Sequence, residues 1–257
     1  MALPCGKCPA CLKRRASGWS FRLVKEEERN NSALFVTLTY DTEHVPITRN
    51  GFMNLDKTDL QKFFKRLRKR CYEKVRYYAV GEYGSKTQRP HYHIILFNAT
   101  PLAVENSWKI NDIPIGSIHI GHVTEASIGY TLKYMEKQRI IPMHRNDDRN
   151  KEFSVMSKGI GENYLTEKIT RWHKNDLDNR MYLPLKDGRK IAMPRYYKDK
   201  LYNENERKRI AFFQKFMAEE LLRKEQAEHG YDYEKIMVER TQEKFRRMYK
   251  SAHTNRT

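Results

Sequence analysis

One group of side chains in this sequence has the chemistry of a metal site, and it lies in and before the apolar run Arg89–Phe97. This run predicts a buried β-strand, in which alternate side chains share a face, so His91 and His93 project together about 7 Å apart. Glu82 lies in the preceding predicted strand, and its carboxylate can reach an ion held by both imidazoles because neighbouring strands are about 5 Å apart. A His-x-His pair alone is a weak signal in a chain with nine histidines. With Glu82, the pattern predicts a Mg²⁺ or Mn²⁺ site with open positions for a phosphate oxygen and water.

A pair of tyrosines follows about 40 residues downstream, in a segment that predicts a helix over residues 127–137. Tyr130 and Tyr134 are spaced i, i+4, so both phenols lie on one helix face about 6 Å apart at Cβ. A phenol is a poor nucleophile near neutral pH because its pKa is about 10. A cation on the target phosphate offsets this weakness, as do lysines that favour the phenolate, here Lys133 and Lys137. The pattern predicts two nucleophiles that attack in succession; the alternative is that the tyrosines pack on the sheet and the lysines face solvent.

Three cysteines near the start of the sequence, Cys5, Cys8 and Cys11, have the spacing C-x2-C-x2-C. A structural zinc site requires four ligands, usually in two separated pairs. The remaining cysteine, Cys71, lies within a predicted helix. The triplet therefore predicts either a zinc site without an obvious fourth ligand or a turn of reduced thiols.

The predicted elements that position these side chains are those of an α+β fold. Strands are predicted over residues 34–40, 76–83, 91–97 and 117–123, and helices over residues 16–29, 56–74, 127–137 and 203–250. Strands separated by helices in this order predict an antiparallel β-sheet covered by helices on one face, with a helical C-terminal appendage. Residues 101–114 and 139–197 are expected to be irregular or turn-rich. We predict three parts: a core over residues 1–140 that includes the cysteine-rich segment, an irregular extension packed on it over residues 141–202, and a charged helical appendage over residues 203–257.

The composition indicates a polyanionic partner. The sequence has 50 Lys and Arg residues against 32 Asp and Glu residues, a formal net charge of +18, which is too large for a typical enzyme of small metabolites and favours nucleic acid. No apolar run is long enough to span a bilayer, and the N-terminus lacks the apolar core of a signal peptide. We therefore expect an intracellular protein with no membrane partner. The predicted DNA-binding residues are Arg89 and a run on the outer face of the second predicted helix, Lys65, Arg66, Arg68, Lys69 and Arg70; a solvated charged face is the alternative for that run.

The order of these motifs resembles a known superfamily. The strand Phe35–Tyr40 is followed by the His-hydrophobe-His strand and then by the Tyr-x-x-x-Tyr helix, as in HUH endonucleases. More closely, the segments PCGKCPAC, FVTLTYDTEHVP, FFKRLRKR and GEYGSKTQRPHYHIILF are similar to replication initiation proteins of the gokushoviruses, which are small phages with single-stranded DNA. The resemblance covers about residues 4–140, with a weaker match near residues 152–161. HUH relaxases carry the tyrosine before the histidines, so that branch fits poorly, and two tyrosines favour rolling-circle initiators over single-tyrosine transposases.

This resemblance implies a ferredoxin-like or RRM-like HUH fold and the chemistry of rolling-circle replication. It implies that Glu82, His91 and His93 bind the metal and that Tyr130 and Tyr134 alternate as nucleophiles. The reaction would be a transesterification at a single-stranded replication origin, which forms a 5′-phosphotyrosine, releases a 3′-OH primer and later rejoins the DNA into a circle. Unwinding and polymerisation would fall to a host helicase and polymerase in the cytoplasm of the bacterial host cell, since the sequence contains no Walker-type phosphate loop.

Three other functions stay open at the level of the sequence. One is a non-catalytic protein that binds single-stranded nucleic acid, in which the histidines are core residues and the tyrosines stack on bases. Another is a single-strand transposase of the HUH class. The third is a metal-dependent hydrolase that uses water as its nucleophile, which would leave the tyrosine pair unexplained.

Overall fold

The computed structural model describes residues 4–6, 8–136 and 141–254, with the backbone alone for residues 9, 133–136 and 248–254. Two compact units are present. One is Trp19–Asn163, and the other combines Met1–Gly18 with Tyr164–Thr257. The three-part division at residues 140 and 203 stays a prediction. No helix in the described part of the chain combines the length and apolarity that a membrane span needs.

The chain alternates short strands with helices of very different length. In chain order the elements are α1 (Pro9–Glu27), β1 (Ala33–Thr39), α2 (Lys57–Arg68), β2 (Arg76–Tyr83), β3 (Pro90–Phe97), α3 (Pro101–Glu105), β4 (Lys109–Ile110), β5 (Ile113–Pro114), β6 (Ile118–His122), α4 (Glu125–Glu136), β7 (Phe153–Met156), α5 (Glu167–Lys174), β8 (Tyr182–Pro184), β9 (Lys190–Ala192), α6 (Arg195–Leu201), α7 (Glu204–His229) and α8 (Tyr233–Thr254). Short 3-10 turns cover Glu162–Tyr164 and Gly230–Asp232. This order confirms the predicted α+β class.

The unit Trp19–Asn163 is built on a five-stranded antiparallel sheet with the strand order β6-β1-β3-β2-β7. β3 is central, because β1 pairs with it along one edge and β2 along the other. The burial of β1 alternates along the strand, as the sequence pattern predicts, whereas β2 and β3 are buried on both faces over most of their length. A strand that is buried on both faces requires a covering layer on each side.

α2 covers one face of the sheet. Asp56 caps its first turn by accepting a hydrogen bond from the backbone N–H of Thr58 at 2.6 Å. Four apolar side chains spaced three or four residues apart then point at the sheet: Leu60, Phe63, Phe64 and Leu67. They join a core cluster that includes Tyr92 and Ile94 from β3. The helix ends at Arg68, so the prediction that it continues to residue 74 is wrong, and Cys71 lies outside it.

Parts of α1 and α4 lie against the other face, so the predicted one-sided covering is wrong. The ring of Trp19, in α1, lies 4.9 Å from the ring of Tyr78, in β2. Glu26 of α1 is fully buried, where it pairs with Arg76 and accepts a hydrogen bond from the backbone N–H of Gly161 at 2.7 Å. α1 begins at Pro9, earlier than predicted, and α4 packs against β2 and β3.

Two segments expected to be irregular contain regular elements. Residues 101–114 form α3 and the β4–β5 hairpin. Residues 139–197 contribute β7, which is the fifth strand of the main sheet and pairs with β2. A four-residue strand between polar segments gives too short an alternation to identify from sequence.

The unit that combines Met1–Gly18 with Tyr164–Thr257 is mainly helical. Its buried His173 donates through Nδ1 to the carbonyl of Arg180 at 2.7 Å and lies 2.8 Å from the hydroxyl of Tyr164. Burial lowers the pKa of His173, which favours a neutral ring in this structural role. The predicted helix over residues 203–250 is two helices, α7 and α8, separated at Gly230 with a φ of +51°.

Candidate active site

The metal ligands predicted from sequence come together on the sheet face opposite α2. Glu82 and His91 are direct partners in the β2–β3 register, and His93 follows two residues along β3. Oε1 of Glu82 lies 2.7 Å from Nε2 of His91 and 3.4 Å from Nε2 of His93. Because Tyr92 and Ile94 point into the core under α2, strand alternation directs both imidazoles away from that core.

Hydrogen bonds on the far side of each imidazole fix how the rings are turned. Nδ1 of His91 lies 3.1 Å from the carbonyl oxygen of Arg89, and Nδ1 of His93 lies 3.0 Å from Oγ1 of Thr37. A carbonyl oxygen only accepts, so Nδ1 of His91 carries a hydrogen and donates it. Both rings thereby direct Nε2 toward the carboxylate of Glu82. Such outer hydrogen bonds are typical of histidines that bind metals.

The charge balance at Glu82 favours a cation. Burial raises the pKa of the Glu82 carboxyl, but its hydrogen bonds with His91 and His93 outweigh this effect and lower the pKa to about 2. In a neutral ring with hydrogen on Nδ1, Nε2 of His91 is an acceptor, as is the carboxylate oxygen 2.7 Å away. Two acceptors this close require a positive charge, which is either a second proton on His91 or a bound cation.

The residues present fit a small divalent ion. Their ligand atoms all lie within 4.8 Å of one another. Neighbouring ligands of a Mg²⁺-sized ion, each about 2.1 Å from it, lie about 3 Å apart, which is close to the separations of Glu82 from the two imidazoles. One carboxylate oxygen and two imidazole nitrogens leave positions open for other ligands, and this donor set suits Mn²⁺ or Mg²⁺.

Tyr130 brings a phenol to the same site. Thr124 and Ser127 cap α4 reciprocally, each hydroxyl accepting from the other's backbone N–H at 3.1 and 2.8 Å. Ile128 and Leu132 bury one side of the helix. The ring of Tyr130 lies 5.3 Å from the ring of His93 at 84° and remains 46% exposed. A half-exposed phenol beside a metal site is accessible to a substrate.

Phe35 forms the remaining apolar wall of the site. Its ring is stacked on the imidazole of His93 at 5.7 Å and meets the edge of Tyr130 at 6.2 Å. Of the other predicted catalytic residues, Tyr134 lies one helical turn after Tyr130 in α4. The side chains of Tyr134 and Lys133, and the whole of Lys137, lie outside the described residues. Their predicted roles stay predictions.

The three N-terminal cysteines also lie together. Sγ of Cys5 is 4.0 Å from Sγ of Cys11 and accepts a hydrogen bond from the backbone N–H of Cys8 at 3.2 Å. All three sulfur atoms lie within 4.8 Å of one another. Sulfur atoms at this spacing, one of them accepting from a backbone N–H, fit a soft cation such as zinc. Zinc at this cluster stays a prediction, because the fourth ligand is not identified.

The basic residues predicted to bind DNA do not line the metal site. Lys65, Arg68, Lys69 and Arg70 are exposed on or just after α2, which covers the opposite sheet face. Arg66 donates to the carbonyl of Ser107 at 2.8 Å. Arg89 lies next to the site but uses its guanidinium to donate to the carbonyl of Tyr40 at 2.6 Å and to Oγ1 of Thr42 at 3.0 Å. DNA binding by these residues stays a prediction.

Sequence reasoning missed two parts of the site. Thr37 and the carbonyl of Arg89 orient the histidines, yet neither is marked by a motif. Thr37 could have been found from pairing, since it is opposite His93 in the β1–β3 register. That register becomes visible only when β1 and β3 are known to be neighbours.

Comparisons with known proteins place this site in a family. The family model of the replication-associated protein ORF2 matches residues 33–139, which contain the metal ligands and both tyrosines. The chain is 30% identical over 223 residues to the replication-associated protein ORF2 of Spiroplasma virus 4, across 79% of this chain and 68% of that protein. It is 29% identical over 215 residues to the replication-associated protein VP4 of Bdellovibrio phage phiMH2K, across 77% of this chain and 67% of that protein.

A third relative, the replication-associated protein ORF4 of Chlamydia phage 1, is 26% identical over 223 residues; the match covers 77% of this chain and 53% of that protein. No solved structure is significantly similar to the chain. The predicted resemblance to phage replication initiators is confirmed by these matches. The chain therefore belongs to the replication-associated protein family of small phages and is a replication initiator of the microvirus type.

Proposed function

We propose that this protein nicks and rejoins single-stranded DNA at a phage replication origin, through a covalent tyrosine intermediate. The phenol oxygen of Tyr130 attacks the scissile phosphorus, and a new Tyr–O–P bond forms. The bond between phosphorus and the 3′ oxygen breaks, and that oxygen leaves as a 3′-OH after gaining a proton, while the phenol proton passes to solvent. The products are a 5′-phosphotyrosine and a primer end for synthesis.

The observation that carries this proposal is the shared position of Tyr130 and the predicted metal ligands. The Tyr130 ring lies 5.3 Å from the His93 ring, on the sheet face that carries Glu82 and His91. A Mg²⁺ or Mn²⁺ ion held by these ligands would polarise the phosphate and neutralise the charge that develops in the transition state. In the proposal, Lys133 and Lys137 favour the phenolate form of the nucleophile.

Tyr134 is proposed as the second nucleophile. It follows Tyr130 by four residues in α4, which is the spacing that places two residues on the same helix face. After one round of synthesis it would cut the regenerated junction, and the free 3′-OH would then attack the first phosphotyrosine and close a circle. Each step exchanges one phosphodiester for another, so no nucleotide cofactor is needed. Unwinding and polymerisation fall to a host helicase and polymerase, in the cytoplasm of the host cell.

The test is the formation of a covalent adduct. The protein is incubated with an oligonucleotide that spans the phage origin and Mn²⁺, and a denaturing gel then separates free from protein-bound DNA. We expect a denaturation-resistant adduct that requires the metal. The double variant Tyr130→Phe/Tyr134→Phe should form none, whereas Tyr231→Phe, at a fully exposed tyrosine far along the chain, should behave as the wild type.

The alternatives give different results in the same assay. Cleavage without an adduct, unaffected by the double variant, would indicate a hydrolase that uses water. DNA binding with neither cleavage nor adduct on a verified origin, by folded and metal-loaded protein, would indicate a non-catalytic binding protein. Either result would overturn the proposal.

A further inference from the structure

A groove runs along the edge of the sheet at β7, which is the last strand in the sheet order. Its larger part, about 660 Å³, is enclosed by the end of α2, the start of β2 and the residues at the end of β7. A smaller depression of about 110 Å³ lies beside it along α2, and the two share Arg68 and Tyr77 as walls. We call this continuous surface the edge groove.

The edge groove has a strong positive charge. Four exposed cations line it: Lys57, Arg68, Lys74 and Lys158. Within the ranges that the structure describes, no carboxylate lies within ion-pair distance of any of the four. By contrast, Arg76 on the same wall is neutralised by Glu26. The one acidic residue of the lining, Glu73, accepts a hydrogen bond from the side-chain amide of Asn31 at 2.7 Å. Cations without a neutralising carboxylate in an open groove are suited to an anionic ligand.

Aromatic side chains lie among these cations. Tyr72 is fully exposed at the rim of the groove. Tyr77 is stacked on Phe64 at a centroid distance of 3.6 Å, and the guanidinium of Arg68 lies 5.8 Å from the Tyr77 ring. Oγ of Ser157 accepts from the backbone N–H of Tyr77 at 3.1 Å, so its own hydrogen can be donated to a ligand. A basic groove with an exposed aromatic ring is typical of surfaces that bind single-stranded nucleic acid.

We propose that the edge groove binds a segment of single-stranded DNA outside the nicking site, with phosphates beside the four cations and an unpaired base stacked on Tyr72. A duplex would leave Tyr72 without a base face to stack on, which favours a single strand. The choice of DNA as the ligand rests on the proposed function. Arg76 and Glu82 are six residues apart in β2, so the groove lies about 20 Å along the strand from the metal ligands.

This position assigns the groove a role in binding rather than in chemistry. DNA held about 20 Å from the scissile phosphate contributes equally to the ground state and the transition state. Loss of the groove should therefore raise the oligonucleotide concentration needed for nicking and leave the rate at saturation unchanged. Among the residues predicted from sequence to bind DNA, Arg68 alone lines this groove.

The test measures binding without cleavage. Fluorescence anisotropy of a fluorescein-labelled 30-nucleotide oligo(dT) is recorded in EDTA over a range of salt concentrations. Because each phosphate contact to a single strand contributes about 0.7 to the salt slope, Lys74→Ala/Lys158→Ala should lower the slope by about 1.4 and weaken binding about tenfold or more at low salt. The matched control is Lys65→Ala/Lys69→Ala, which removes the same charge from exposed positions that do not line the groove. Equal losses in the two double variants would overturn the proposal.

Stacking is tested separately at Tyr72. Tyr72→Ala should weaken oligo(dT) binding about fivefold or more, whereas Tyr72→Phe keeps the ring and should bind as the wild type. Unchanged affinity of Tyr72→Ala would remove the stacked base from the proposal. Duplex DNA that competes as well as oligo(dT) would overturn the assignment to a single strand.

The adduct assay separates this proposal from the proposed function. Groove variants should form the adduct to the wild-type extent once the origin oligonucleotide is saturating, and Tyr130→Phe/Tyr134→Phe should bind oligo(dT) normally. If the wild type forms no adduct while the groove variants lose affinity, the nicking proposal fails and the groove proposal stands. If the adduct forms and the groove variants bind as the wild type, the groove proposal fails.

Discussion

Replacing Thr37 by valine is expected to weaken metal binding at the candidate active site and to leave the fold intact. Valine keeps the β-branched shape that suits a strand, and the change removes Oγ1, which lies 3.0 Å from Nδ1 of His93. Thr37 is half-buried in β1, directly opposite His93. The imidazole therefore loses the group that fixes its orientation, and the ligand set itself stays complete.

The size of the effect follows from the surroundings of His93. Removal of a hydrogen-bond partner from a metal-binding histidine typically costs 10-fold to 100-fold in affinity, or about 1.4 to 2.7 kcal/mol. His93 is 4% exposed, and the ring of Phe35 remains stacked on it at 5.7 Å. Because this packing still restrains the imidazole, we expect a loss near the lower limit, about tenfold.

Isothermal titration calorimetry with Mn²⁺ measures the loss directly. Thr39→Val is the matched control, since Thr39 is on the same face of β1 but donates to the carbonyl of Ser117 at 3.1 Å. It should bind Mn²⁺ as the wild type does. If Thr37→Val binds Mn²⁺ with wild-type affinity and melts at the wild-type temperature, the hydrogen bond does not orient His93 and the reasoning is refuted.

Three further predictions concern stability. Gly116→Ala should lower the melting temperature sharply, because its Cβ would lie 1.9 Å from a β1 carbonyl oxygen, whereas Gly121→Ala should not, since nothing lies within 4 Å of a Cβ there. Arg76→Met should cost about 3–5 kcal/mol in urea denaturation because it leaves the buried carboxylate of Glu26 without its cation; a loss below about 1 kcal/mol would contradict this. The pKa of Glu82 is lowered from 4.5 to about 2, so its ionised form stabilises the fold above pH 4.5 and this stabilisation is lost as the pH falls toward 2. Urea denaturation of the wild type and Glu82→Gln should therefore converge over that interval, and a difference that is constant with pH would count against the effect.

The sheet was largely predictable because its strands carry a two-residue pattern. The alternation in β1 and the apolar run of β3 identify both strands and place His91 and His93 on one face. The adjacency of Glu82 was predictable as well, since a short polar connection joins two strands and favours a hairpin. The phenol of Tyr130 lies beside this face, which is confirmed by its ring contact with His93.

What sequence reasoning could not supply depends on contacts between distant segments. The basic run of α2 suggested a DNA surface near the active site, but the apolar stripe of the same helix places it on the other side of the sheet. The groove at the edge of the sheet combines residues near positions 57–77 and 155–158. β7 had to be located before those residues could be seen as neighbours. The orienting hydrogen bonds of Thr37 and Arg89 likewise require tertiary structure.

The pairing of Glu82 with His91 across two strands has a consequence for folding. A slip of β2 against β3 by one residue would turn Glu82 to the opposite face from both imidazoles. Native strand pairing and assembly of the ligand set are therefore a single event, which a misregistered molecule cannot imitate. Mn²⁺ titration of a refolded sample would count the molecules whose central hairpin is in register, even where helix content and compactness are the same.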